Sequence, residues 1–259
     1  MMEQHCVFRT LRLLAITFFM AAIYLSPVTT HAVGAESDYL EASKMYNQGD
    51  FAGAAALFES IAAHHVVNGD LYYNIGNAYF KEGDVGKSIL WYERAMKLMP
   101  GDPDLLFNHN FVSGLLVDKA ETKSNPLMDV LFFWKKKIAT RTSAFMAVSL
   151  FALFILSSTI RTLKPVRWLK YPERIILGFA LIFIISAFQD YYRDRFEKKA
   201  VVISDTVSVR SGLSQDATEL FLLHEGTKVS VDEELRGYAK IKFSDDKIGW
   251  VEKKDLEMI

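Results

Sequence analysis

The sequence predicts a multidomain membrane protein: an all-α helical repeat, two transmembrane helices and a C-terminal all-β small barrel. Three observations carry this reading. The 259 residues balance 30 Lys and Arg against 31 Asp and Glu, yet the charge is segregated along the chain. A motif recurs at a spacing of 34 residues in the first half. From residue 200 onward, apolar and polar residues alternate.

Segregation of charge comes first. Residues 36–126 sum to −6 and 200–259 to −4, whereas 127–142, 143–174 and 175–199 sum to +3, +4 and +1. Two acidic soluble parts therefore flank a basic, apolar middle, as in a membrane-anchored protein. The total of −1 leaves no global basic footprint, which argues against nucleic acid as a partner. A single Cys excludes an internal disulfide framework and a cysteine-rich zinc site.

Arg9 and Arg12 precede an apolar run over 13–25, followed by Pro27 and small residues ending in Val33-Gly34-Ala35. Residues 1–35 read as a secretory signal peptide, with an uncleaved anchor as the alternative. Either reading puts the next segment outside the cytoplasm. Cys6 precedes the apolar run and is no lipoprotein cysteine; cleavage leaves a chain without thiols, which suits an oxidising compartment.

Two further apolar runs are predicted to span a bilayer. Residues 143–160 carry no charge between Arg141 and Arg161. Residues 175–188 are short, and Tyr191 and Tyr192 extend them to 192 as interface anchors. The loop 161–174 holds Arg161, Lys164, Arg167, Lys170 and Arg174 and is placed in the cytoplasm. Its outer flanks are also basic, so the orientation rests mainly on the signal peptide. Between the repeat and the first span, 122–142 reads as a linker. Within it, the aromatic-rich 127–134 followed by Lys135, Lys136 and Lys137 reads either as an interfacial helix or as the start of a helix entering the membrane.

The repeat covers 36–121. Gly49-Asp50 recurs as Gly83-Asp84, Ala54 aligns with Ser88, and Phe58 aligns with Tyr92. In a frame beginning at Gly69, Tyr72, Ile75, Gly76, Tyr79, Ser88, Tyr92, Ala95 and Pro100 fall at the positions that define two closely crossing helices. Small residues let the helices approach, large ones fill the gaps, and Pro100 stops the second helix. This pattern closely resembles the tetratricopeptide repeat (TPR). The repeat 69–102 matches throughout; 35–68 matches well in its second half, with Ala42 and Met45 where the pattern has Gly and Tyr. Residues 103–120 read as a capping helix, with no second helix of the repeat pattern after it. So short an array is expected to lean on a partner or on itself.

In the C-terminal part, five strands are predicted around Val201, Val207, Val229, Ile241 and Trp250, with turns at Ser211-Gly212, Glu225-Gly226, Arg236-Gly237 and Asp245-Asp246. The run of Val-Ser-Val-Arg-Ser-Gly, Leu-His-Glu-Gly-Thr-Lys-Val, Gly-Tyr-Ala-Lys-Ile and Gly-Trp-Val over 200–259 resembles the bacterial SH3 domain. Trp250 is assigned to the core. The resemblance implies either a cell-wall peptide or an undefined ligand, and the lack of a dense aromatic groove gives no ground for proline-peptide binding.

Several motifs fail. Residues 83–88 imitate a phosphate loop, but Lys81 stands where its first glycine belongs and helices flank it. His64 and His65 point apart on a helix, and His224-Glu225 lacks a second metal-protease histidine. No nucleophile constellation is visible, so no catalytic, cofactor-binding or metal-binding residue is assigned, and no enzyme is expected.

What the repeat resemblance implies is a concave face lined by its first helices. Here that gives Asp70, Tyr73, Asn74, Asn77, Phe80 and Lys81, continued by Phe107 and Asn108. Asn74 and Asn108, one repeat apart, are suited to gripping the backbone of an extended peptide. Only Lys81 is basic there, which disfavours a terminal carboxylate as ligand. The order of modules resembles the BatE-type proteins of the bacterial aerotolerance (Bat) group. That resemblance implies a scaffold in the cytoplasmic membrane, with both soluble modules on its outer side. Its partners would be membrane proteins with von Willebrand-type domains. A cell-wall anchor gripping peptidoglycan through the SH3 domain is the alternative.

Overall fold

The computed structural model describes residues 35–64, 66–119, 130, 132–164 and 167–259, except for the side chains of Arg167 and Asp194. Residues 1–34 of the expected signal peptide, His65 and residues 122–129 and 131 of the linker lie outside them. The chain divides into two compact units, one holding the two long apolar helices and one holding the repeat together with the barrel.

The repeat region forms five helices: α1 (Ala35–Asn47), α2 (Phe51–Ala63), α3 (Gly69–Glu82), α4 (Val85–Leu98) and α5 (Pro103–Leu115). The sequence marks each boundary. Asp50, Asn68, Asp84 and Asp102 cap the last four, accepting from the amides of Gly53, Leu71, Lys87 and Leu105 at 2.8–3.0 Å. Each such cap is worth about 1 kcal/mol. Gly49 and Gly83 end α1 and α3 in the left-handed region (φ 86° and 96°), which explains the recurring Gly-Asp.

Packing follows the 34-residue frame. A Cβ on Gly76 would lie 2.6 Å from ring carbons of Tyr92, and the Ser88 hydroxyl donates to the Gly76 carbonyl at 2.9 Å. Ala42, Ala54, Phe58, Ile75 and Ala78 form one fully buried core. A second joins Ile89, Leu90 and Tyr92 of α4 to Leu105 and Val112 of α5. The capping helix ends at Leu115, five residues short of the expected 120, and the chain then crosses to the barrel.

Seven antiparallel strands build the barrel: β1 (Lys198–Val202), β2 (Thr206–Arg210), β3 (Glu219–His224), β4 (Lys228–Leu235), β5 (Tyr238–Ser244), β6 (Lys247–Glu252) and β7 (Leu256–Met258). Their order is β3-β2-β6-β5-β4-β1-β7. The sequence reading gave five. The first missed strand, β3, is an edge strand that sends only Leu223 fully into the core, so it lacks a two-residue period. The other, β7, has only three residues. Trp250 is also corrected. Gly249 and Val251 on either side of it are buried, so alternation turns the half-buried indole to the opposite face from the core of Val202, Val209, Ile241 and Val251.

The second unit holds α6 (Thr140–Leu163) and α7 (Lys170–Phe196), both long and apolar enough to cross a membrane. Both outrun the expected spans 143–160 and 175–192, and ion pairs accompany the charged residues at their ends. Arg161 forks onto Glu173 at 2.6 and 3.2 Å, and Asp190 pairs with Arg193 at 3.0 Å. The helix bounds leave 164–169 between them where 161–174 was expected, and Glu173 neutralises Arg161. Before α6, Phe133–Lys136 is a short 3₁₀ turn with Trp134 buried, followed by a break at Lys137. Among the described residues, 132–139 do not continue α6 as a single helix; 127–129 and 131 lie outside them.

Candidate functional site

The first helices of the three repeat units, α1, α3 and α5, place side chains 34 residues apart on one face. Tyr39, Tyr73 and Phe107 hold one position; Leu40, Asn74 and Asn108 hold the next. The structure joins these rows across repeats. The Asn74 amide donates to the Tyr39 hydroxyl at 2.6 Å, and one repeat later the Asn108 amide donates to the Tyr73 hydroxyl at 2.8 Å. Asn77 completes the ladder: its Oδ1 accepts from Asn108 at 3.0 Å and from the buried Tyr92 hydroxyl at 2.6 Å. Phe107 carries no hydroxyl, so the ladder stops there.

The sequence reading took Asn74 and Asn108 as amides free to grip a ligand. The structure commits one N–H of Asn74 and both of Asn108 to the ladder and leaves the carbonyl oxygens without a protein donor among the described residues. Tyr39 and Tyr73, which sequence reasoning did not pair with them, were detectable from the same 34-residue period. Burial, with Asp70 nearby, holds the Tyr39 phenol above its ordinary value. Burial does the same for Tyr92. Both stay protonated and able to donate.

Beside the ladder lies an apolar strip. Phe80 packs edge-on against Phe111 with ring centroids 5.8 Å apart. Phe107, Phe111 and Leu115, at successive four-residue steps on α5, are 72%, 55% and 56% exposed. Lys81 is exposed at the end of α3. Sequence reasoning missed Phe111 and Leu115.

On its other side the repeat is occupied by the barrel. Val201 of β1 and Ile259 enter the apolar core of α4 and α5. Gly226 (φ 77°) lets the β3–β4 turn meet Leu116, whose Cδ2 would lie 2.4 Å from any Cβ there. Around this contact runs a polar belt. Asp118 Oδ2 accepts from the His224 amide at 2.7 Å, Thr227 Oγ1 at 3.0 Å and His224 Nδ1 at 3.1 Å. Glu93 Oε1 accepts from Lys228 at 2.8 Å and His109 Nε2 at 2.9 Å. Arg94 donates to Glu257 at 3.0 Å and to the Met258 carbonyl at 2.6 Å.

Burial works against the Glu93 carboxylate, but hydrogen bonding to His109 and the charge of Lys228 outweigh it and hold it at about 2. At the phosphate-loop look-alike, Glu225 of the barrel accepts from the Gly86 amide at 3.2 Å, so a carboxylate sits at the start of α4. His64 Nδ1 lies 2.6 Å from the Ser60 carbonyl.

Comparison with known families agrees with this geometry. Residues 69–102 match the tetratricopeptide repeat, and residues 205–257 match the bacterial SH3 domain. No curated protein matches the chain. Both modules characteristically bind proteins or cell-wall material.

Proposed function

We propose that this chain is a non-enzymatic, membrane-anchored scaffold of the bacterial envelope. In this reading α6 and α7 anchor it in the cytoplasmic membrane, and the repeat and barrel lie on the outer side. The concave face of the repeat takes a protein partner, and an assembly of the Bat type, with von Willebrand-type membrane proteins, is the setting that fits the order of modules. The observation that carries the reading is the apolar strip of Phe107, Phe111 and Leu115 beside a preorganised ladder. Exposed aromatic side chains on a rigid surface are the usual anchors of interfaces.

The test is cross-linking in native membranes followed by affinity purification of the full chain. Phe107→Ser with Phe111→Ser should lose specific partners while the protein still inserts and folds. An unchanged partner set would overturn the groove as the working surface.

A second reading, a peptidoglycan anchor, draws on Trp250, half-buried on the side of its strand away from the barrel core. It predicts that detergent-solubilised protein sediments with purified peptidoglycan and that Trp250→Ala abolishes this.

A further inference from the structure

The shared face of α1, α3 and α5 has a third row. Glu36, Asp70 and Asp104 occupy the same position in α1, α3 and α5, at intervals of 34 residues. All three are exposed, and no ion pair engages them among the described residues. On a helix, residues three, four and seven apart share a face. Asp70 therefore shares one with Tyr73, Asn74 and Asn77, and Asp104 with Phe107, Asn108 and Phe111. The proximity of Asp70 to the Tyr39 phenol agrees with this placement. The face thus has a carboxylate edge, a floor of ladder amides and phenols, and an apolar edge ending in Phe111 and Leu115.

We infer that this face takes an extended polypeptide segment with basic side chains along one edge and apolar side chains along the other. The inference rests on the scaffold reading above and names its ligand. The Asn74 and Asn108 carbonyl oxygens, without a protein donor among the described residues, would accept backbone N–H groups of such a segment. Charge complementarity selects the occupant: the carboxylate row disfavours anionic lipid headgroups, nucleic acid and acidic chain termini. Neighbouring helices lie about 8–10 Å apart. An extended chain advances about 3.3 Å per residue, so a basic residue at roughly every third position meets the row in register.

The test uses the full chain in a neutral detergent and a labelled synthetic peptide of Leu and Phe with Lys at every third position, read by fluorescence anisotropy. The control peptide has Glu in place of Lys. The Lys peptide should bind, and raised salt should weaken it. Asp70→Asn with Asp104→Asn should weaken it about tenfold, as exposed charge pairs allow. Phe107→Ser with Phe111→Ser should weaken it at least as much. Asp232→Asn with Asp246→Asn removes the same charge from the barrel and should leave binding unchanged.

Equal loss in the barrel variant would overturn the inference, because binding would then follow net charge. If both peptides bind equally and only the Phe variant abolishes them, the basic-segment inference fails while the groove stands. If neither groove variant changes binding, both fail. Dimerisation of the protein that Phe107→Ser abolishes would assign the face to a second copy and overturn the inference as well.

Discussion

Asp118 lies just past the end of the repeat, yet one of its carboxylate oxygens takes three hydrogen bonds from the turn between β3 and β4. Replacing it with Ala strands the hydroxyl of Thr227, a fully buried residue, and the His224 amide. Hydrogen bonds to a charged group contribute about 1.5–3 kcal/mol each, and a stranded buried group costs about 1–3 kcal/mol. The three share one oxygen and are not additive, so we expect a loss of about 3 kcal/mol in docking the barrel. That is roughly a hundredfold more of the undocked state. Hydrogen exchange of the full chain reads this directly: amides over 224–227 should exchange about a hundredfold faster in Asp118→Ala, with the α1–α2 core unchanged. The pH dependence gives a second check. Burial works against the charged form of Asp118, but the His224 amide, Thr227 and the His224 ring outweigh it and hold the carboxyl below its ordinary range. Its contribution is therefore present above about 3.9 and lost as pH falls through the lower folded value. Unchanged exchange in Asp118→Ala would refute the idea that this carboxylate holds the barrel on the repeat.

Three further outcomes follow from the same geometry. Gly76→Ala already drives a Cβ into the Tyr92 ring and should destabilise the protein by about 1–3 kcal/mol, with Gly76→Leu worse; thermal unfolding checks it, and Tyr92→Leu should partly rescue the Ala variant. Glu93, lowered from 4.5 to about 2, contributes stability that is present above its unfolded value and lost as pH falls between the two, up to about 3 kcal/mol; Glu93→Gln should flatten that acid limb in a denaturation series. Alkaline phosphatase fused after Glu121 or Ile259 should be active and after Lys170 inactive, and activity at Lys170 would overturn the proposed orientation.

The repeat was legible because close helix crossing demands small side chains at fixed intervals, and Gly76, Ser88 and Ala95 have no other reason to fall where they do. The shared face of α1, α3 and α5 was legible as rows of positions but not in its bonding. The positions of Asn74 and Asn108 follow from one repeat at a time, whereas their partners Tyr39 and Tyr73 appear only when neighbouring repeats are compared. In the barrel, alternation exposed the central strands and failed at the edges, where β3 buries only one side chain fully.

Least legible was the docking of barrel on repeat. Asp118, Glu225 and Lys228 are isolated charged residues, more than 100 positions from their partners, and no periodicity marks them. One negative signal in the sequence did point there: no helix with the repeat pattern is read after the capping helix, although Leu105 and Val112 are apolar and must be covered. In the structure, α4 and Val201 of the barrel share that cluster, so the barrel does the work of the missing helix. This has a consequence for function. A barrel that closes the repeat's core is fixed to it, and the surfaces of β1, β4 and the β3–β4 turn are spent on that contact. Among the described residues, a run of exposed apolar side chains stays open on α5 at Phe107, Phe111 and Leu115, where Phe107 ends the ladder instead of extending it to another repeat.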